Sequence, residues 1–430
     1  MQDDALYIKG LAHKRALEGK LSVNGAKNAV LKILAAAFLF EGELLVENVP
    51  ELLDVKWMLE ILSGMGIDSE YDVENSTIRL SVSKDLSCEL DFDVARKLRS
   101  SVVLSGPVLA RLGKVSFPFP GGDKIGLRPV DLFLESFEKM GALAQEENEQ
   151  IKISAKDGLK GAEIFFRKQS VTATESAMMA ATLAEGEVVL KNAAMEPEIV
   201  HLAKFLNEAG ADIVGAGTST ITIKGNSGRP LQAKHSYTVP PDRIEAGSFM
   251  ALAAVVGKDI YIENCLPQEM EAVLEYYSYI GLNFEIGKSH VRIKDNPDSS
   301  ELQMRDFATH EYPGFPTDMQ APTVAAMTQI SGEAFVFESI FADRFGYVDS
   351  LRLMGADIVQ LDTRNILVKG PRLLHGRTLR SIDIRAGLAY IIAAASAEGD
   401  SKIENVFHID RGYADIEQRL ETIGLDIKRV

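Results

Sequence analysis

Six runs along the chain are apolar on every side when wound as helices: AVLKILAAAFLF, SVVLSGPVLARL, SAMMAATLA, SFMALAAVV, APTVAAMTQI and GLAYIIAAASA. A helix with no polar stripe is buried all round. Most of these runs lead through a glycine into a stretch where apolar and polar positions alternate, as in GELLVEN, GEVVLKN, GKDIYIEN and GEAFVFES, which predicts strands with one covered face. A second helix follows, and this one is amphipathic (VKWMLEILSGMG, PEIVHLAKFLNEAG, DIEQRLETIG), so it lies between strands and solvent. Helices of the first kind at the centre, with sheets and second helices outside, satisfy both patterns.

The cassette repeats six times with a period of roughly 70 residues. Its first glycines are Gly42, Gly113, Gly186, Gly257, Gly332 and Gly399. Its second set, Gly66, Gly141, Gly210, Gly281, Gly355 and Gly424, ends the amphipathic helices where a left-handed residue is needed. The first three of that set recur about 214 residues later, so the chain reads as two domains of three units each. A linear solenoid is the alternative, and the lack of distinct capping repeats counts against it. Within a unit the two glycines keep a nearly constant spacing except in the second, where FPFPGGDKIG adds residues. That insertion is either a polar turn or a lid whose freedom comes from Gly121, Gly122 and Gly126.

Composition narrows the class. At 430 residues, 46% hydrophobic and 25% charged, the chain has material for more than one core. The first residues lack the basic flank and apolar run of a signal peptide, and no apolar stretch approaches the ~20 residues of a membrane span, so the expected location is the cytoplasm. Two distant cysteines, Cys88 and Cys265, and seven histidines without ligand spacing predict neither a disulfide framework nor a metal, and no cofactor is expected. A net charge of −16 argues against nucleic-acid and membrane partners, so any anionic ligand needs locally gathered cations.

Such cations stand at the helix mouths. Fourteen residues before each first-set glycine lie Asn28, Arg99, Thr172, Arg243, Asp318 and Arg385, all polar or charged, at the start of an apolar helix. Asn28, Thr172 and Asp318 read equally as plain N-caps. The arginines do not, because a cation at a helix N-terminus opposes the dipole unless an anion lies between.

The segments LSVNGAKNAVLKILAA (21–36), GGDKIGLRPVDL (121–132), VPPDRIEAGSF (239–249), YPGFPTDMQAP (312–322), ESIFADRF (338–345), DIRAG (383–387) and FHIDRGY (407–413) together resemble the UDP-N-acetylglucosamine enolpyruvyl transferases over almost the whole chain. The sister family, 5-enolpyruvylshikimate-3-phosphate synthase, fits GAKNA and RPVDL less well. The resemblance implies an α/β fold, a two-domain inside-out α/β barrel with three βαβαββ units per domain around buried inner helices. It implies domains at 23–239, carrying a mobile loop at 117–128, and at 1–22 with 240–430. The implied reaction moves the enolpyruvyl group of phosphoenolpyruvate to the 3′-hydroxyl of UDP-N-acetylglucosamine, releasing phosphate, as the first committed step toward peptidoglycan. The implied partners are these two substrates alone, with a monomer favoured.

By the same resemblance Lys27, Arg128 and Arg411 hold the phosphate of phosphoenolpyruvate, and Arg99, Arg344 and Arg385 lie near its carboxylate. Forked guanidinium groups suit such contacts. Asn28 and Asp318 meet the sugar, with Asp318 the base for the attacking hydroxyl. The nucleotide sugar further meets Arg128, Pro129, Val130, Asp131 and Leu132 at the uracil, Lys168, Ser170, Val171 and Thr172 at the diphosphate, and Ile340. Asp123, Lys27, Asp318 and Arg411 form the implied catalytic set. For any one of these charges alone, a surface ion pair worth ~0–1 kcal/mol is the plainer account.

Three positions depart from the family's usual pattern. Asp123 stands where most members carry a loop cysteine, Thr172 where glycine is usual, and Phe133 where histidine is usual. A free aspartate ionises near 3.9, so service as a proton donor needs desolvation to raise it; assistance in lid closure or product release is the other role. Fosfomycin alkylates the family's thiol, so Asp123 implies insensitivity to it. Thr172 and Phe133 keep open a different acceptor, either another nucleotide sugar or shikimate 3-phosphate. A non-catalytic nucleotide-sugar sensor is the remaining alternative.

Overall fold

The computed structural model describes residues 4–119, 129–147, 149–294 and 298–430. They fall into two compact units, one within 25–240 and the other made of 4–24 with 241–430. The chain passes between them at 24/25 and at 240/241, one or two residues beyond the boundaries expected from the sequence. Each crossing pair is tied within its own unit. The Ala26 N–H donates to the Pro240 carbonyl at 2.7 Å, and the Asp242 N–H to the Asn24 carbonyl at 2.8 Å.

In the 25–240 unit the clearest repeat is its third. Strand Lys160–Phe165 runs parallel to Glu185–Lys191, with helix Val171–Thr182 between them in sequence. Helix Pro197–Glu208 then leads to Asp212–Val214 and Thr220–Lys224, which close the sheet antiparallel. This is a βαβαββ unit. The first repeat borrows its parallel strand from the far end of the unit, where Leu231–Gln232 and Tyr237–Thr238 pair with Phe40–Glu47. In the second, that parallel neighbour shrinks to a single bridge, Glu89 to Ser116.

The other unit repeats the plan three times, with Leu17–Ser22, Phe307–Ala308 and Thr378–Arg380 as the parallel strands. In its last sheet the closing antiparallel strand comes from the N-terminus. Ala5–Lys9 lies between Asp400–Glu404 and Ile427–Arg429. Among the described residues the six sheets stay separate, so the inside-out arrangement there is one of helices within and sheets without, not a closed ring of strands.

The apolar runs fold as the buried helices that the pattern predicts. Helices Arg243–Val256, Gln320–Met327 and Ile384–Ser396 pack on one another. Ile391, Ile392 and Leu388 in the last are sealed from solvent, each contributing roughly 1.5–3 kcal/mol of burial. The amphipathic helices stop at left-handed glycines, as at Gly66 and Gly210, with φ of 92° and 105°.

Two inner helices differ from expectation. SVVLSGPVLARL is not one α-helix but a 3₁₀ turn, Arg99–Leu104, followed by helix Ser105–Leu112. The reason is Pro107, which has no N–H to continue an α-ladder back to Val103; the Val103 carbonyl accepts from Ser176 Oγ at 3.2 Å instead. Pro322 has the same position behind the 3₁₀ turn Thr317–Met319. Gly106 is required by closeness. A Cβ there would stand 2.1 Å from the Ser176 carbonyl oxygen of the neighbouring inner helix. No helix among the described residues is long and apolar enough to cross a membrane.

Candidate active site

The helix mouths gather the polar residues within each unit. In the unit of 4–24 and 241–430, Asp383 caps helix Ile384–Ser396, its Oδ1 accepting from the Arg385 and Ala386 N–H groups at 2.8 and 3.0 Å. The cap meets the backbone, which leaves the Arg385 guanidinium to reach sideways. Its Nη2 donates to Asp318 Oδ2 at 2.8 Å and its Nη1 to the Tyr413 hydroxyl at 2.9 Å. Arg344 Nη2 donates to the other Asp318 oxygen at 2.7 Å. Both arginine side chains are only 5% exposed, against 27% for Asp318, so the carboxylate is the open end of a buried charge cluster.

Burial alone would lower the Arg385 pKa, but Asp318, Tyr413 and Asp242 outweigh it and the net shift is upward. The guanidinium is a fixed cation. Burial raises the Tyr413 phenol despite Arg385, so it stays protonated and accepts from Arg385 while sharing a hydrogen with Ser248 at 3.3 Å. Arg411, two residues before Tyr413, follows the single-turn helix Phe407–Asp410 and is itself buried.

Glu338, fully buried, builds the rest of this mouth. Its Oε1 accepts from the Ile340 and Phe341 N–H groups at 2.9 and 3.1 Å, and its Oε2 from Thr317 Oγ1 at 2.9 Å and Gln320 Nε2 at 3.2 Å. One carboxylate therefore fixes the turn bearing Ile340 to the turn bearing Asp318. Sequence reasoning missed Glu338 and Tyr413, although both lie in segments that carried the resemblance.

In the 25–240 unit, Lys27 opens helix Lys27–Ala36, and its Nζ is 2.8 Å from Asp54 Oδ2 in the first turn of helix Leu53–Gly64. Asn28 follows it. The Asn28 carbonyl accepts from Lys32 Nζ at 2.7 Å, and the same ammonium is 3.5 Å from Glu175 Oε2 in helix Val171–Thr182. Both Lys32 and Glu175 are buried. Burial, with Glu198 and Glu196 nearby, pushes the Glu175 carboxyl up to about 8 against the opposing pull of Lys32. Neither residue was singled out in the sequence: Lys32 sits in a run read as core, and Glu175 immediately precedes another.

Arg99 begins the 3₁₀ turn that packs against helix Lys27–Ala36. Asp131 and Leu132 begin helix Asp131–Lys139, directly after Pro129 and Val130, and Asp131 forms an ion pair with Arg167. That helix packs on Val171–Thr182, whose cap is Ser170, with Oγ accepting from the Ala173 N–H at 3.4 Å. The caps are thus Ser170, Asp242 and Asp383, not Asn28, Thr172 or Asp318, which stand within the first turns. Lys168 is exposed, while Val171 and Thr172 are half-buried beside first-turn N–H groups that lack intrahelical acceptors. Phe133 is buried against the core, so a polar contact from this position is absent. Asp123 and Arg128 lie outside the described residues. Among the described residues no three His, Cys, Asp or Glu side chains gather as a metal site would require.

Comparison with known proteins places the chain as a whole in a family. The family model described as EPSP synthase (3-phosphoshikimate 1-carboxyvinyltransferase) matches residues 11–420. In fold, the chain is similar to the enolpyruvyl transferase NikO from Streptomyces tendae, with a TM-score of 0.88 at 22% identity over 100% of this chain and 99% of that one. It is also similar to EPSP synthase from Acinetobacter baumannii, with a TM-score of 0.71 at 20% identity over 100% of both. Identity is higher to three proteins named UDP-N-acetylglucosamine 1-carboxyvinyltransferase. Those of Campylobacter fetus subsp. fetus, Myxococcus xanthus and Nitratidesulfovibrio vulgaris are 38%, 39% and 41% identical, each over 99% of both chains. A family model that spans nearly the whole chain, together with full-length relatives bearing the nucleotide-sugar name, makes this chain a member of the UDP-N-acetylglucosamine 1-carboxyvinyltransferase family, within the wider group of enolpyruvyl transferases.

Proposed function

We propose that the protein transfers the enolpyruvyl group of phosphoenolpyruvate to the 3′-hydroxyl of UDP-N-acetylglucosamine, releasing phosphate, in the first committed step of peptidoglycan synthesis. The observation that carries this reading is the Asp318 carboxylate gripped by Arg344 and Arg385, a partly open base beside two buried cations, in a chain full-length similar to enzymes of that name.

The acceptor oxygen bonds to C2 of phosphoenolpyruvate as its proton passes to Asp318, and the methylene carbon takes a proton to become methyl. Loss of a methyl proton with cleavage of the C2–O bond to phosphate then regenerates the double bond on the sugar. Asp123 is the residue we assign to protonation of the methylene, or else to closure and product release. Lys27, Arg128 and Arg411 hold the phosphate that leaves, and Arg99, Arg344 and Arg385 hold the carboxylate. A fixed cation such as Arg385 stabilises charge developing at the reacting centre without reorganising. Asn28 meets the sugar, with Ile340 beside it. The stretch Pro129 to Leu132 brackets the uracil, and Lys168, Ser170, Val171 and Thr172 receive the diphosphate at a helix start, where N–H groups and dipole favour anions. The setting assigned to this activity is a cytoplasmic monomer.

Phosphate release from phosphoenolpyruvate tests the reading, with UDP-N-acetylglucosamine, shikimate 3-phosphate or no acceptor. Release with the nucleotide sugar alone is the expected result. Release with shikimate 3-phosphate would reassign the acceptor, and tight nucleotide-sugar binding without any release would leave a sensor in place of an enzyme.

A further inference from the structure

Arg429 turns all three of its guanidinium nitrogens onto two carboxylates. Nη1 and Nη2 donate to Asp410 Oδ2 and Oδ1 at 2.9 and 2.6 Å, while Nε and Nη2 donate to Glu417 Oε1 and Oε2 at 2.7 and 3.1 Å. Asp410 is the residue before Arg411 and the last of the single-turn helix Phe407–Asp410. On the other side of Arg411, the Tyr413 hydroxyl accepts from Arg385 Nη1 at 2.9 Å. The backbone of 410–413 is therefore pinned at both ends, from a sheet strand by Arg429 and from an inner helix by Arg385, with Arg411 between the pins.

A helix of one turn has too few internal hydrogen bonds to hold its own shape. Its placement depends on what grips it. Bidentate charge-assisted bonds supply direction as well as energy, and an ammonium cannot reproduce them. Both Asp410 oxygens are taken by one planar group, which fixes that side chain's rotamer one residue ahead of Arg411. Arg429 sits in strand Ile427–Arg429, in register with Leu6, so the grip is anchored in a sheet and not in a loose tail.

We infer that Arg429 is a positioning residue for phosphoenolpyruvate binding, acting through Asp410 on the placement of Arg411. This rests on the reading of Arg411 as a ligand of the phosphate. Glu417 holds the other side of the fork, through Nε and the shared Nη2, and ties the strand to helix Ile416–Thr422.

The test is steady-state kinetics on the full chain, with UDP-N-acetylglucosamine binding measured separately by calorimetry. Arg429→Ala is expected to raise KM for phosphoenolpyruvate about tenfold, with kcat within about twofold and nucleotide-sugar affinity unchanged. Arg429→Lys should recover only part of the loss, and Glu417→Gln should lower Tm while leaving that KM alone. In an Arg411→Ala background, Arg429→Ala should add nothing. Additive effects, or a wild-type KM in Arg429→Ala, would overturn the inference. An Arg411→Ala variant with a wild-type KM would overturn the ligand reading, and the inference with it. Should Arg429→Ala fail to fold, Asp410→Asn is expected to raise the same KM, and an unchanged KM there overturns the inference equally.

Discussion

Arg385 and Asp318 meet at 2.8 Å, with the guanidinium almost sealed from solvent and the carboxylate partly open. A carboxylate placed this way meets two buried cations and keeps its access through its exposed edge. Asp318→Ala should lower kcat by about 10²–10⁴-fold, with a smaller change in UDP-N-acetylglucosamine affinity. Single-turnover phosphate release against calorimetric binding separates the two, and an unimpaired kcat would remove Asp318 from the proton path.

Lys27 and Asp54 form a nearly buried pair, 10% and 2% exposed. Removing one member takes a close ion-pair contact from a buried charge, so Asp54→Leu should cost about 3–5 kcal/mol in a urea titration. The double variant Lys27→Met, Asp54→Leu should recover most of that stability and yet fail to saturate with phosphoenolpyruvate. Recovery of both would reduce the pair to packing.

The pH dependence of stability has a named source in Glu175. Its carboxyl, pushed up to about 8 by burial, holds a proton in the folded state that the unfolded chain gives up near 4.3. The folded state binds more protons across this window, so stability is fully present below the unfolded value and is lost as pH rises through about 8. Glu175→Gln mimics the protonated form beside Lys32, Glu196 and Glu198. Its Tm should match wild type at low pH and fall less between pH 6 and 9, and parallel Tm curves would refute the assignment.

Fosfomycin sensitivity follows from the residue at 123. The Cys265 thiol is buried and pushed up to about 11, so it offers the epoxide no nucleophile. Wild type should keep its activity under the drug, whereas Asp123→Cys should show time-dependent loss with a covalent mass increase. Inactivation of wild type with an adduct at Asp123 would contradict this.

Gly106→Ala should be destabilising by about 1–3 kcal/mol, because the new methyl meets the Ser176 carbonyl oxygen and the two inner helices must part. Thermal unfolding measures it directly, and an unchanged Tm would show that the helices separate at no cost.

What could be read in advance was whatever lies in one stretch of chain. The apolar runs, the glycines that end the outer helices, and the polar residues at the helix mouths are local patterns, and the inner helices stand where those patterns put them. The broken helices at Pro107 and Pro322 were equally local, yet the apolar character of the runs masked the missing N–H. Glu338 was invisible for a different reason. Its four bonds reach Thr317 and Gln320 as well as its own turn, and nothing in ESIF announces a partner twenty residues upstream. Lys32, inside one apolar run, and Glu175, just before another, were hidden by their neighbours, since such a charge reveals its purpose only when the facing helix is known.

The strand Ala5–Lys9 has a consequence for how the molecule comes into being. Both of its neighbours, Asp400–Glu404 and Ile427–Arg429, follow it in the chain by about 400 residues. At the usual pace of synthesis it waits roughly 20–80 s with both edges bare. During that wait it is a template for any passing strand. The short, charged form of the segment, with Asp4 and Lys9 at its ends, is then a safeguard for the nascent chain as much as a feature of the finished fold.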